Sequence, residues 1–464
     1  MQGDGISFFP MARLHQRTDR PGSARETGAR HKYGVPVRVG VAYREWIQEF
    51  RDQVKVVATR IPRTPELTKI LKGNPHTVFH FTDLEGHEAV GNLWATRARI
   101  ARALGVRPEL LLKTMLNAIR NPEDPIPMDT APFMPHTSTD FDLNDGPVPQ
   151  WYPKDAGRYF TSAVFIAEWQ GVRNVSFHRI LLLGPKRGAA RIVPRHLYSM
   201  IQQAREAGEE LKVAICVGVD PWVLLAGGTS IEYGADESRI ASALRVAGHK
   251  KPLGVVKLRN GITVPSESEY VFEARFTGET HAEGPFVDAV QTYDVVREEP
   301  VLEFERVYHR RDPIFHLLLS GGDEHFQFMG MPREPLIYES VSRVVPHVRA
   351  VRLTEGGCAW LHGVVSLRKQ HDGDGRNAVL AAFAAHTSMK QVTVVDDDID
   401  VFDDREVEWA VATRLQADRG LIVLTGTRGS SIDPSRNPDG TTAKLGIDAT
   451  KPLSRAADFE KARA

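Results

Sequence analysis

Cysteine is nearly missing from this chain: 464 residues carry two, Cys216 and Cys358. They form no CxxC pair, which leaves neither a thiolate zinc site nor a disulfide framework. Both stand among small or apolar neighbours, Ala214-Ile215-Cys216-Val217 and Cys358-Ala359-Trp360, and read as core residues. Long apolar runs are missing too. The longest, Ala378 to Ala385, falls far short of the ~18 residues a membrane-spanning helix needs. No membrane span and a cytoplasmic setting are expected. Neither sign of charge predominates, with 59 Lys and Arg against 59 Asp and Glu. No basic block marks a nucleic-acid footprint. The chain has no GxSxG elbow, no GxGxxG fingerprint and no internal repeat.

What is present is a soluble globular composition, 42% apolar and 25% charged. The length allows two or three domains. Residues 1–40 are rich in Gly, Pro and Arg without an apolar period. Met11 offers a second start. Arg13, Arg17, Arg20, Arg25 and Arg30 suggest a transit peptide, and Asp4, Asp19 and Glu26 argue against one. A disordered or extended N-terminal segment is expected. Residues 41–157 read as an α/β domain with a linker. Helices fall at Tyr43–Phe50, Thr96–Leu104 and Pro108–Ile119, and strands at Val54–Ala58 and Thr77–Thr82. Over 121–157, Pro, Asp and Asn mark a linker or wrapping arm.

Strands dominate residues 158–308: Tyr159–Ala167, Ser176–Leu183, Ala190–Val193, Val213–Val219, Gly254–Leu258, Glu269–Arg275 and Leu302–Tyr308. Helices interrupt them at about 197–207 and 236–246. This predicts a barrel-like domain, a shape that often holds a cofactor in its mouth. Residues 309–427 return to α/β alternation. Helices fall at Glu334–Val345, Arg376–Ala385 and Asp404–Arg414, and strands at Ala350–Leu353, Gly363–Leu367, Val392–Val395 and Leu421–Leu424. Residues 428–464 read as a polar tail that could hold a helix at 452–463.

Several stretches carry usable chemistry. In Glu283-Gly-Pro-Phe-Val-Asp288 two carboxylates flank a Gly-Pro bend, an arrangement suited to paired acid/base work or to a solvated surface turn. Arg179 offers a planar fork for a carboxylate, or is a strand-edge surface arginine. His196 is a ligand or a satisfied structural histidine. Glu237, in a turn opening a helix, is a ligand or a partner of the helix dipole. As donors, Asn174, His196 and Glu237 suit Mn²⁺ or Mg²⁺, but their spacing alone does not bring them together. Asn174 and Arg179 are an odd number of residues apart, so a flat strand would point them to opposite faces; one site needs a bulge or loop between them. Asp396-Asp-Asp398, with Asp400, Asp403 and Asp404, looks like a metal or diphosphate box, but its place before a helix favours N-cap carboxylates. Gly426-Thr-Arg-Gly429-Ser-Ser could cradle a phosphate but lacks the P-loop lysine. His309-Arg-Arg311 binds an anion or ends a strand.

In order, several separated motifs resemble the UbiD family of decarboxylases, which use prenylated flavin mononucleotide. They are Gly91-Asn-Leu-Trp-Ala-Thr-Arg97, Gly171-Val-Arg-Asn-Val-Ser-Phe-His-Arg179, Gly218-Val-Asp-Pro221, Glu283–Asp288, Tyr308-His-Arg-Arg-Asp-Pro-Ile314, Glu355-Gly-Gly-Cys358 and Asp397-Asp-Ile-Asp400. The resemblance runs from about residue 43 to 427. It implies a multidomain α/β fold with a central flavin-binding split β-barrel, an N-terminal α/β domain and a C-terminal α/β domain that makes homodimer contacts. It implies Arg179, Glu283 and Asp288 as the catalytic network, with Asp288 as proton donor. Asn174, His196 and Glu237 become ligands of a divalent metal that anchors the flavin phosphate. K⁺ would lie on backbone oxygens around Ala226, Gly227 and Thr229, sharing Glu237. Ser176, Phe177, His178, Arg195 and Lys390 join the cofactor contacts. A flavin prenyltransferase would supply the cofactor. The family's hexapeptide usually has Gly before its last acid, where this chain has Val287. Arg191-Ile-Val-Pro-Arg195-His-Leu-Tyr-Ser-Met200 and Gly429-Ser-Ser-Ile-Asp-Pro434 are similar to an archaeal branch that converts trans-anhydromevalonate 5-phosphate to isopentenyl phosphate. Arg195, Arg310 or Lys390 would meet that substrate's phosphate. Alternatives are an aromatic acid such as a 4-hydroxy-3-polyprenylbenzoate, a catalytically silent flavin-binding subunit, or a flavin reductase.

Overall fold

The computed structural model describes residues 43–462; the expectation for residues 1–40 concerns a stretch outside them. Among the described residues no helix is long and apolar enough to cross a membrane. The centre is a nine-stranded antiparallel sheet. Its order is Tyr159–Phe160, Ile180–Leu182, Arg187–Ala190, Arg297–His309, Tyr270–Glu283, Lys212–Val217, Val164–Trp169 and Val172–Phe177, with Thr137–Ser138 paired beside Arg297–His309. The order is a path, and among the described residues no pairing closes it into a ring.

Both faces of this sheet are covered, and the sequence shows it. Along Lys212–Val217, Val213, Ile215 and Val217 enter one apolar cluster with Phe165 and Phe272. Ala214 and Cys216, between them, enter another with Val164 and Ile166. Successive side chains of a strand point to opposite faces, so a strand buried on both sides is apolar throughout. Cys216 is buried there, as its neighbours suggested.

Smaller sheets flank the centre. Val54–Val57, Val78–Leu84, His87–Gly91 and Ile314–Leu317 form one, so a strand from beyond the middle region completes the N-terminal sheet. Val348–Leu353, His362–Leu367, Gln391–Asp396, Thr441–Asp448 and Leu421–Arg428 form a five-stranded sheet in that order.

Three differences from the sequence-based expectations matter. Tyr159–Ala167 and Ser176–Leu183 are each broken in two, the second at His178-Arg179. Tertiary hydrogen bonds fix that break: the His178 N–H donates to the Ala163 carbonyl (3.3 Å) and the Arg191 N–H to the Arg179 carbonyl (3.0 Å). Helices Pro65–Gly73, Pro221–Gly228 and Asp323–Gly330 were not anticipated. The stretch read as a polar tail contains Thr441–Asp448, which pairs in parallel with Gln391–Asp396 and antiparallel with Leu421–Arg428. Its Lys444 is buried, with the ammonium donating to the carbonyls of Thr387 (2.5 Å) and Met389 (2.8 Å). A lysine and two threonines hid a core strand behind a polar composition.

Candidate active site

The break at His178-Arg179 is the loop the odd spacing required, and it lets the strand and the arginine serve one cleft. Arg179 is the hub of a compact charge network. Its Nε and Nη2 donate to the two oxygens of Glu283, both at 2.8 Å, a bidentate pair. Its Nη1 donates to Asp288 Oδ2 at 2.6 Å and its Nη2 to Asp294 Oδ2 at 3.2 Å. The guanidinium lies 4.6 Å from the centroid of the Phe286 ring. Burial works against the Arg179 charge, and Glu283, Asp288 and Asp294 outweigh it, so its pKa lies above the ordinary arginine value. Arg297 shares Asp294 at 2.5 Å.

The Glu283–Asp288 bend carries two of these acids inward. Glu283 ends the long strand Tyr270–Glu283, Gly284 turns with φ of +99°, and Gly284–Pro285 is cis. Phe286–Val287 then pairs with Tyr293–Asp294. Val287 sits in this ordinary strand, its side chain buried and its N–H donating to Asp155 Oδ1 at 3.2 Å. Val at this position leaves Asp288 within reach of Arg179. The three acids differ in exposure: Glu283 0%, Asp294 6% and Asp288 22%. Of the three, only Asp288 lines the cleft.

That cleft has a volume of about 1080 Å³ and lies between the central sheet and the C-terminal region. Asn174, His196 and Glu237 line the same cleft. The Asp236 carboxylate caps the helix Glu237–His249, accepting from the Ser238 N–H at 2.8 Å. Glu237 is thereby free to turn inward. It accepts from Asn174 Nδ2 (3.0 Å) and from the Val175 N–H (2.8 Å), and His196 Nδ1 stands 3.9 Å away. Burial pushes its carboxyl up to about 7.

The donors here fit a cation. His178 Nδ1 lies 3.0 Å from the Arg191 carbonyl, so that nitrogen carries the proton. Burial lowers the His178 pKa to about 4, so the ring is neutral and Nε2 is an acceptor. Ser176 Oγ lies 2.9 Å from both Nε2 and Asn174 Oδ1, two acceptors for its single proton. One proton cannot serve both, and a cation on Asn174 Oδ1 would release the hydroxyl proton to the imidazole. One amide oxygen, one imidazole and one carboxylate suit a hard or borderline divalent ion. Among the described residues no group of three or more His, Cys, Asp or Glu is placed to hold a metal; this set relies on the amide. The rest of the cleft suits a flat ring system with a polar tail. Phe177, Leu318, Phe328 and Met329 supply apolar wall, and Gly227 and Thr229 also line the cleft. Gly228 permits the close approach of its helix to Asp323–Gly330, since a Cβ there would fall 2.4 Å from the Phe328 carbonyl oxygen.

Other expected residues lie elsewhere. Ala226 does not line the cleft, and its carbonyl accepts from the Thr229 N–H at 3.0 Å. Lys390 pairs with Asp433 at 2.9 Å, outside the lining. Arg310 pairs with Glu267 at 2.7 Å and is away from the cleft, so it cannot meet a substrate there. The acidic box is an internal ion network in which Arg414 donates to Asp396 (2.9 Å) and Asp398 (2.8 Å). Asp403 caps the helix Asp404–Arg414. Of the Gly426–Ser431 stretch, in contrast, Gly426 and Arg428 to Ser431 do line the cleft. So do two residues that the sequence did not single out, His325 and Arg333. His325 Nδ1 accepts from the Gly321 N–H at 3.1 Å, and burial lowers its pKa against the pull of Asp288. The neutral ring therefore carries its proton on Nε2. No spacing in the sequence links either residue to the motifs.

The 3-octaprenyl-4-hydroxybenzoate carboxy-lyase (UbiD) family matches in three consecutive pieces. They are its N-terminal domain over residues 47–119, its Rift-related domain over 126–323 and its C-terminal domain over 326–449. The anhydromevalonate phosphate decarboxylase of Methanothermobacter thermautotrophicus is 41% identical, across 90% of this chain and 99% of that one. The enzyme of the same name from Methanosarcina mazei is 42% identical, across 91% and 99%. Among solved structures, the UbiD-class enzyme HmfF from Pelotomaculum thermopropionicum in complex with FMN superposes with a TM-score of 0.88. It is 36% identical and covers 91% of this chain and 97% of that one. An evolved dimeric form of HmfF in complex with prFMN gives 0.84 at 34% identity, over 91% and 97%.

Proposed function

The chain belongs to the UbiD family of carboxy-lyases, and from that premise we propose that it removes CO₂ from trans-anhydromevalonate 5-phosphate to give isopentenyl phosphate, with prenylated FMN as cofactor. The observation that carries the residue roles is the unequal exposure of the three acids on Arg179. Loss of CO₂ from an alkenoic acid leaves electrons that no side chain can accept, and bound prenylated FMN supplies that sink. Arg179 attracts and orients the substrate carboxylate. Glu283, wholly buried, holds the plane of the guanidinium. Asp288, which alone of the three lines the cleft, delivers the proton that replaces CO₂ on carbon. The apolar wall from Phe177 to Met329 keeps water from competing for that position.

Asn174, His196 and Glu237 would hold Mn²⁺ or Mg²⁺ beside the flavin phosphate, and K⁺ would lie on backbone oxygens around Gly227 to Thr229. A flavin prenyltransferase supplies the cofactor, and the C-terminal region joins two copies in a homodimer in the cytoplasm. The test is an assay of the flavin-loaded protein against trans-anhydromevalonate 5-phosphate and a 4-hydroxy-3-polyprenylbenzoate. Isopentenyl phosphate is the expected product. Consumption of the benzoate alone would overturn the substrate; consumption of neither would favour a silent flavin-binding subunit.

A further inference from the structure

Four arginines line the cleft with no carboxylate partner: Arg195, Arg333, Arg428 and Arg436 have no ion pair among the described residues. The contrast with Arg179 and Arg191, both paired to acids, is sharp. Arg333 is the most constrained of the four. Its Nη1 donates to the Ser230 hydroxyl, and Arg195 Nη1 donates to the same oxygen at 2.8 Å. Its guanidinium carbon lies 5.4 Å from the centroid of the Trp360 ring. That ring is fixed by its own Nε1–H, which donates to Ser430 Oγ at 3.0 Å. Arg333 Nε is buried with no hydrogen-bond partner. Two guanidinium groups sharing one hydroxyl, one of them with an orphaned N–H, form a site built for an anion. Burial, with Arg195 beside it, lowers the Arg333 pKa to about 9, the cost of a cation held without an anion.

The position of Arg333 says which anion. His325, Met329 and Arg333 line the cleft at intervals of four residues, along and just beyond the helix Asp323–Gly330. His325 stands under the influence of Asp288 and Arg179. Eight residues at helical rise span ~12 Å, a distance that two inward-reaching side chains shorten to the length of a small bifunctional acid. Glu237, Asp288 and Asp439 are the acids of the cleft, and none is paired with Arg333. Asp439 is instead engaged by the Thr441 N–H at 2.9 Å.

We propose that Arg333, oriented by Ser230 and Trp360, is the subsite for the phosphate monoester of the substrate, with Arg428 on the same wall. This rests on the decarboxylase reading given above, and it sets one charged end of the substrate near His325, in the first turn of the helix Asp323–Gly330, and the other at Arg333, just beyond that helix. Arg333, and not Lys390 or Arg310, then makes the enzyme select a phosphorylated acid. The flavin also carries a phosphate monoester, so the experiment must separate the two sources.

Isopentenyl phosphate binding to the flavin-loaded wild type and to Arg333→Gln is measured by calorimetry, beside FMN and riboflavin binding to both apo proteins. The expected result is a loss of roughly tenfold or more for isopentenyl phosphate, with the FMN-to-riboflavin preference unchanged. Arg333→Lys keeps the charge without the fork and should lose less. Should the glutamine variant fail to fold, a wild-type affinity in the lysine variant would count against the site. Equal isopentenyl phosphate binding by wild type and Arg333→Gln overturns the proposal. A fall in FMN but not riboflavin affinity overturns it in favour of the cofactor's phosphate. If isopentenyl phosphate binding depends on Arg333 but the wild type consumes no phosphorylated acid, the subsite stands and the substrate assignment falls.

Discussion

Three acids share one guanidinium, and their fates are separable by single substitutions. Asp288→Asn keeps an acceptor for Arg179 but has no acidic proton; turnover should fall about 10²- to 10⁴-fold with flavin content unchanged, read as CO₂ release per bound flavin. Unaltered turnover would place the donor elsewhere, His325 being the next group with a proton facing the cleft. Glu283→Gln replaces one charge-assisted bond of a buried pair, and a loss on the order of 2 kcal/mol in denaturant unfolding is expected, together with slower turnover as Arg179 loses its fixed plane. Val287 makes a different prediction. Its buried side chain means that Val287→Gly should cost about 2–3 kcal/mol of stability. A stability at or above wild type in urea titration would contradict the packing described. These residues were legible because their types are chemically conspicuous. His325 and Arg333 were not, because a lone His in a mixed helix, or a lone Arg in the turn after it, has a solvated surface position as its ordinary explanation.

At the level of elements, the helix Pro221–Gly228 shows why some structure escapes a sequence. Six of its residues are buried, from Pro221 to Ala226, so it has no polar face and no helical period to read. Its start is marked by Asp220, whose Oδ1 accepts from the Trp46 indole N–H at 2.9 Å. Burial pushes the Asp220 carboxyl up to about 8. Between its ordinary value of ~4 and that pH, the folded protein holds a proton that the unfolded chain has released. Stability from this group is therefore greatest at the acid end and declines as pH rises, by about 1.4 kcal/mol per unit. Asp220→Asn keeps the acceptor and cannot ionise, so its melting temperature should gain steadily on wild type from about pH 5 to pH 8. A constant offset would mean that the native carboxyl is ionised throughout. The amphipathic helices Tyr43–Glu49 and Asp404–Arg414 were read nearly to their ends, because an apolar stripe or a capping acid survives in the sequence alone. The continuous β-like run Ser176–Leu183 was not divisible, since its break is made by Ala163 and Arg191, which are remote in sequence from one or both sides of it.

For the molecule as a whole, the cleft is a joint product of the central sheet and the C-terminal region, with Arg179 and Asp288 from one and Trp360 and Arg428 from the other. A chain ended after Arg428 would lose the strand Thr441–Asp448 from the interior of the five-stranded sheet, leaving Gln391–Asp396 and Leu421–Arg428 with no partner between them. Such a chain should lose both flavin retention and hydrogen-exchange protection over Gln391–Asp396. Retained protection there would show that the sheet closes without its inner strand. The same arrangement has a consequence for synthesis. A ribosome delivers the two flanking strands before the one that joins them, and chains emerge N-terminal end first at a finite pace. Until the later strand threads between its elders, their facing edges are open to any extended peptide nearby. The nascent enzyme thus passes through an interval when the C-terminal wall of its cleft is unfinished and adhesive, and cofactor loading belongs after that interval closes.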